Sequence, residues 1–236
     1  MGRFIVTSGE DQDLLAASEE AEFAASVKAA RARADARLTE ANRAPVRSPD
    51  PPEEEEIAWT EQEDVYRPRP INARAYLASI ALLRSVHVQP GQSFALVRKD
   101  AYQLLCGHLK SDVTIELGGL LCGEALYDRE ADTFIVVIET ALPALNGDGT
   151  STTFSYTPAA WEAMFPALQQ MSKDRTIVGS YHSHPGMGVF LSSTDLHTQA
   201  EVFPHDWQVA LVVDPVANTS GFFIGASGKP CRSQIV

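Results

Sequence analysis

The chain has 236 residues, 44% of them hydrophobic, enough to bury one good core and leave an extension over. Its formal charge of −12 is uneven: residues 1–66 hold 16 acidic and 7 basic side chains, a net of −9, and the other 170 residues carry only −3. An acidic arm of this kind repels phosphate backbones, so nucleic acid is excluded as a natural partner and a basic protein surface is favoured.

Residues 11–43 are rich in Ala, Glu and Arg, and Phe23, Val27, Ala30, Ala34 and Leu38 recur at three- and four-residue spacing, which predicts a helix. Its apolar stripe is narrow and mostly alanine, so it is either a solvated helix or one that docks on a partner protein. Residues 44–56, with Pro45, Pro49, Pro51, Pro52 and the run Glu53 to Glu56, read as an extended acidic linker. The composition turns globular near Tyr66-Arg67-Pro68, dividing the chain into an acidic extension, 1–66, and a domain, 67–236.

Within that domain, Asn72 to Ser85 places Tyr76, Ile80 and Leu83 on one face and suggests a short helix. Gly91 and Gln92 introduce Phe94-Ala-Leu-Val, a predicted strand, and Lys99 to Leu109 reads as a helix with Tyr102, Leu105 and Leu109 inward. Val113 to Leu121 and Phe134 to Glu139 look like paired strands about a turn at Tyr127 to Asp132, which would put Glu116 on a strand. Asn146 to Ser151 is turn-rich, and Thr157-Pro158 is an N-cap and first-turn pair for a helix carrying Trp161, Met164, Phe165 and Leu168 toward the core. Pro166 predicts a kink or break in that helix.

The most informative segment follows. Thr176-Ile-Val-Gly-Ser-Tyr has strand composition, and a period of two sends His182 and His184 to one face. Pro185 and Gly186 end the strand, and Ser192-Ser193-Thr194-Asp195 opens a helical stretch from which Asp195 can swing back as a third ligand. Two imidazole nitrogens and one carboxylate suit Zn²⁺, and three protein ligands leave a fourth position open, the arrangement of catalytic zinc.

These residues resemble the JAMM (MPN+) metalloprotease family. His182-Ser183-His184-Pro185, followed after seven residues by Ser192-x-x-Asp195, matches its signature, and Glu116-Leu-Gly-Gly119-Leu-Leu-Cys-Gly123 matches its upstream glutamate strand. Glu124 lies outside that pattern. Trp207 to Pro215 and Gly221-Phe-Phe look like the family's closing strands, so the resemblance covers about residues 92–230. It implies an α/β MPN fold, cytidine-deaminase-like, with a mixed β-sheet flanked by helices. It also implies zinc held by His182, His184 and Asp195, with Glu116 as general base and then general acid, and Ser192 as oxyanion donor. His197 and His205 are read as surface or supporting groups.

The implied reaction is zinc-dependent hydrolysis of the amide after the C-terminal glycines of ubiquitin or a ubiquitin-like protein. Three readings stay open: deconjugation of a modifier from a target lysine, processing of a ubiquitin-like or sulfur-carrier precursor, and a non-catalytic MPN scaffold. The complete residue set speaks against the scaffold. With no apolar run of membrane length, no secretory start and no Cys-x-x-Cys pair among Cys106, Cys122 and Cys231, a cytoplasmic protein with reduced thiols and no membrane partner is expected.

Overall fold

In the computed structural model, residues 66–236 are described; the predicted helix of residues 11–43 and linker of 44–56 lie outside them. Short β1 (Arg69–Pro70) leads into helix α1 (Ala73–Ser79), whose first turn is capped by Asn72 Oδ1 accepting the Ala75 N–H at 2.9 Å. The stretch predicted as one helix to Ser85 divides at Ile80, which has an extended backbone, and only a 3₁₀ turn, Ala81–Leu83, follows. Ala73, Leu77 and Leu83 are its buried residues, and Tyr76 and Ile80 are only partly covered.

Strand β2 (Phe94–Val97) is buried on both faces, because helices cover both sides of it. Its period of two sends Phe94 and Leu96 into a cluster with Leu77 of α1, and Ala95 and Val97 into a larger cluster with Ala101, Leu105 and Leu109 of α2 (Lys99–Leu109). The predicted inward Leu105 and Leu109 are fully buried, and Tyr102 is partly so.

Long strands β3 (Gly118–Asp128) and β4 (Thr133–Pro143) form an antiparallel pair. β3 starts five residues later than Val113, because Asp112 Oδ1 accepts both the N–H and the hydroxyl of Thr114, at 2.8 and 2.6 Å, and closes a local turn there. Glu116 therefore lies just before the strand rather than on it. The small hairpin β5 (Asp148–Gly149) and β6 (Phe154–Ser155) precedes α3 (Pro158–Gln169), capped by Thr157 as expected. α3 runs through Pro166 without ending. The carbonyl that Pro166 cannot pair belongs to exposed Glu162, where water can serve it. Only Ala160 and Met164 of α3 are buried; Phe165 is 55% exposed, so the core stripe is narrower than its sequence suggests.

β7 (Thr176–Ser183), helix α4 (Ser193–Val202), β8 (Val209–Asp214), β9 (Thr219–Ile224) and β10 (Lys229–Ile235) complete the fold. The sheet order is β1-β3-β4-β2-β10-β9-β8-β7, and β7 also pairs back with β3, so seven strands close on themselves with β1 added beside β3. Parallel and antiparallel pairings are mixed. Closure brings the start of β3, with Glu116 two residues before it, beside the end of β7, where Gly118 pairs with His182.

Candidate metal centre

His182 is the penultimate residue of β7, and His184 follows the strand's last residue on the same face. The N–H of His184 donates to Val213 O of β8 at 2.9 Å, which extends the sheet's hold one residue past the strand. The two Nε2 atoms lie 3.1 Å apart, and both imidazoles are buried.

Asp195 arrives from α4 through a capping box. Ser192 Oγ accepts the Asp195 N–H at 3.2 Å, and Asp195 Oδ2 accepts both the N–H and the hydroxyl of Ser192, each at 2.7 Å. With Oδ2 so engaged, Oδ1 faces His182 Nε2 at 3.2 Å, while Oδ2 is 3.4 Å from His184 Nε2.

These separations test whether the donors fit a metal. Ligands about 2.0–2.1 Å from a tetrahedral zinc are spaced about 3.3 Å from one another. The 3.1 Å between the imidazoles is close to that edge length, Asp195 meets His182 through Oδ1 and His184 through Oδ2, and one donor atom from each residue lies within 4.8 Å of the others, so the three can close on one cation. Among the described residues they form the one such group of His, Cys, Asp and Glu.

Glu116 is buried beside them, its Oε1 3.7 Å from His184 Nε2 and without a hydrogen-bond partner. An unpartnered carboxylate oxygen in the interior is costly unless a water, ion or ligand answers it. Burial raises the Glu116 pKa, against the opposing pull of His182 and His184. Burial also disfavours charge on His184 and Asp195, but mutual hydrogen bonding and charge prevail: His184 is raised by Asp195 and Glu116, and Asp195 is held far below the usual carboxylate range by the two histidines and Ser192.

All five residues expected from the sequence thus meet at one place. His197 is exposed on α4, His205 stacks on Trp207 with ring centroids 5.1 Å apart, and neither belongs to the ligand group. Glu124, outside the motif, pairs with Arg69 at 3.2 Å. Three supporting features had no sequence signal. The Phe190 ring packs 4.6 Å from the His184 ring. Ser183, between the two histidines, binds the backbone of Leu117, and Asp214 binds the loop after His184. A cleft beside the site is lined by His182, Asp195, Phe154, Tyr156 and Leu191. No helix among the described residues is long and apolar enough to cross a membrane.

Comparison with known proteins places residues 98–222 within the family model described as prokaryotic homologs of the JAB domain. The chain is 36% identical over 116 residues to the ubiquitin carboxyl-terminal hydrolase RPN11 of Saccharomyces cerevisiae, an alignment covering 48% of this chain and 36% of that protein. It is also 36% identical over 129 residues to COP9 signalosome complex subunit 5 of Drosophila melanogaster, covering 52% of this chain and 35% of that one. The chain thus spans about a third of the length of the curated relatives it matches. Among solved structures, protein DSY2949 of Desulfitobacterium hafniense aligns with a TM-score of 0.47 at 21% identity, over 60% of this chain and 92% of that one.

Proposed function

The chain belongs to the family of prokaryotic homologs of the JAB domain, the JAMM/MPN group, and from that premise we propose that it is a zinc-dependent isopeptidase or peptidase. Its substrate on this reading is the amide after the C-terminal glycines of ubiquitin or a ubiquitin-like protein. The observation that carries the proposal is the pairing of a convergent group of metal donors, His182, His184 and Asp195, with the buried, unpartnered carboxylate oxygen of Glu116 beside it. The name of the yeast relative, a ubiquitin carboxyl-terminal hydrolase, supports the substrate class.

Zinc bound by the triad supplies Lewis acidity toward a carbonyl and makes water acidic enough to attack near neutral pH. The protein's own groups do the rest. Glu116 Oε1 accepts the proton of the attacking water and returns it to the departing amine nitrogen, a task suited to a carboxylate whose pKa burial has raised. Asp195 stays ionised and is kept in register by Ser192 through the capping box. Ser192 also stands next to the reacting centre as an oxyanion donor, for which its hydroxyl must turn away from Asp195 Oδ2. A narrow approach to the metal would favour the small Gly-Gly tail.

The test is cleavage by the zinc-loaded chain of two substrates ending in the same ubiquitin-like Gly-Gly tail, one joined to a lysine side chain and one to a linear peptide. We expect hydrolysis after the second glycine, loss of activity with chelator, and near-complete loss in Glu116→Gln with zinc retained. Loss of zinc in Glu116→Gln would make Glu116 a ligand, and stoichiometric zinc in the His182→Ala, His184→Ala double variant would refute the site. Cleavage of the linear substrate alone would identify a precursor-processing peptidase.

A further inference from the structure

Glu116 sits outside regular secondary structure, two residues before β3, yet the reaction proposed above needs its carboxylate fixed to a fraction of an ångström. Two tethers hold its backbone. On one side, the Glu116 N–H donates to Thr150 O at 2.7 Å. On the other, the next residue, Leu117, donates its N–H to Ser183 Oγ at 2.9 Å and accepts the Ser183 N–H at 2.9 Å.

The Thr150 carbonyl is itself presented by a closed turn. Thr150 N–H donates to Thr153 O at 2.8 Å, the two threonine hydroxyls lie 2.7 Å apart, and Thr150 Oγ1 accepts the N–H groups of Thr152 and Thr153 at 3.3 and 3.0 Å. Close approach of this loop to Glu116 requires Gly149. A Cβ added there would overlap the Glu116 carbonyl oxygen, and Gly149 is not among the positive-φ glycines, so space rather than backbone conformation forbids a side chain.

We propose that the β5–β6 loop is the positioning element for Glu116, with Gly149 and Thr150 as its positioning residues and Ser183 as the opposing clamp. The inference rests on the proposed role of Glu116 as the proton carrier. None of the three touches the ligand atoms of His182, His184 or Asp195, so disturbing the loop should move the base and spare the metal.

The decisive variant is Gly149→Ala in the full chain. We expect unchanged zinc content and a KM within about twofold, with kcat on the Gly-Gly substrate lowered about 10- to 100-fold, the loss expected from displacing a reacting group by about 1 Å. Hydrogen exchange at the Glu116 amide, slow in the parent chain, should accelerate in the variant. Thr150→Ala, which keeps the carbonyl but dismantles the turn, should give a smaller kcat loss in the same direction, and Thr150→Ser should restore activity. This pair carries the test if Gly149→Ala fails to fold. A folded Gly149→Ala chain with faster Glu116 exchange and unchanged kcat overturns the proposal, as does a Glu116 amide that exchanges freely in the parent protein. If the zinc-loaded parent cleaves nothing, the proposed function fails, and the exchange measurements still decide whether the loop holds Glu116.

Discussion

Ser192 shows how one side chain at this site serves two ends. Its hydroxyl accepts the Asp195 N–H as a helix cap and donates to Asp195 Oδ2, so it fixes both the backbone and the carboxylate of a proposed ligand. The sequence pattern assigns Ser192 only to the oxyanion, and on that basis metal content should be indifferent to its removal. The capping box adds a cost. Ser192→Ala should lower kcat by about 10²–10³-fold through the lost oxyanion donor. It should also weaken zinc binding by about 10-fold, because Asp195 loses a group that orients it. Steady-state kinetics and zinc competition titrations separate the two effects. Unchanged zinc affinity would mean that the Ser192 N–H alone holds Asp195.

The loop after His184 depends on the end of β8 for its shape. Asp214 is 2% exposed, and its carboxylate accepts four backbone N–H groups: Gly186, Val216 and Ala217 on Oδ1 at 3.0, 2.9 and 3.0 Å, and Gly188 on Oδ2 at 3.0 Å. Burial works against this charge, but the four bonds prevail and lower the pKa. A carboxyl with a lower pKa folded than unfolded gives stability that is fully present above the unfolded value, near 3.9, and is lost as pH falls through the folded one. Asp214→Asn should therefore cost about 1.5–3 kcal/mol near neutral pH. The gap between variant and parent should narrow below about pH 4. Denaturation midpoints of the metal-free proteins across pH 2–7 measure it, and a gap constant with pH would show that the Asp214 charge adds no stability. Nothing in the sequence around Asp214 announces this role, because Gly186 lies 28 residues upstream in the chain. Local patterns are legible: alternation puts His182 and His184 on one face, and the hydroxyl-rich stretch before Asp195 marks a helix start, although the Ser192 capping box itself is seen only in the structure. β3 starts later than its composition suggests because Asp112 and Thr114 close a turn that competes with strand pairing.

At the scale of the molecule, what the composition could not reveal is closure. Alternating strands and helices indicate an α/β layer fold, but the return pairing of β3 with β7, which sets Glu116 against the histidine strand, joins residues more than fifty positions apart. The same sheet also holds the first of the described residues. Tyr66 stacks near Trp207 with centroids 5.4 Å apart, its hydroxyl accepts the Ala125 N–H at 2.8 Å, and β1 adds two residues in parallel beside β3. Among the described residues, Tyr66 packs against the larger apolar cluster and α1 belongs to the smaller one. A chain lacking residues 1–63 should therefore fold, bind zinc and cleave a small Gly-Gly reporter nearly as the parent does, whereas a chain starting at Ile71 loses Tyr66 and β1 and should melt several degrees lower. Because residues 1–63 carry a net charge of −8, the shorter chain should also cleave a full protein conjugate more slowly and with a weaker dependence on ionic strength. Thermal unfolding, zinc analysis and reporter kinetics at two salt concentrations decide the matter. An insoluble or zinc-free product would show that the domain needs the acidic segment, and a large gain in reporter cleavage would show that the segment restrains the site.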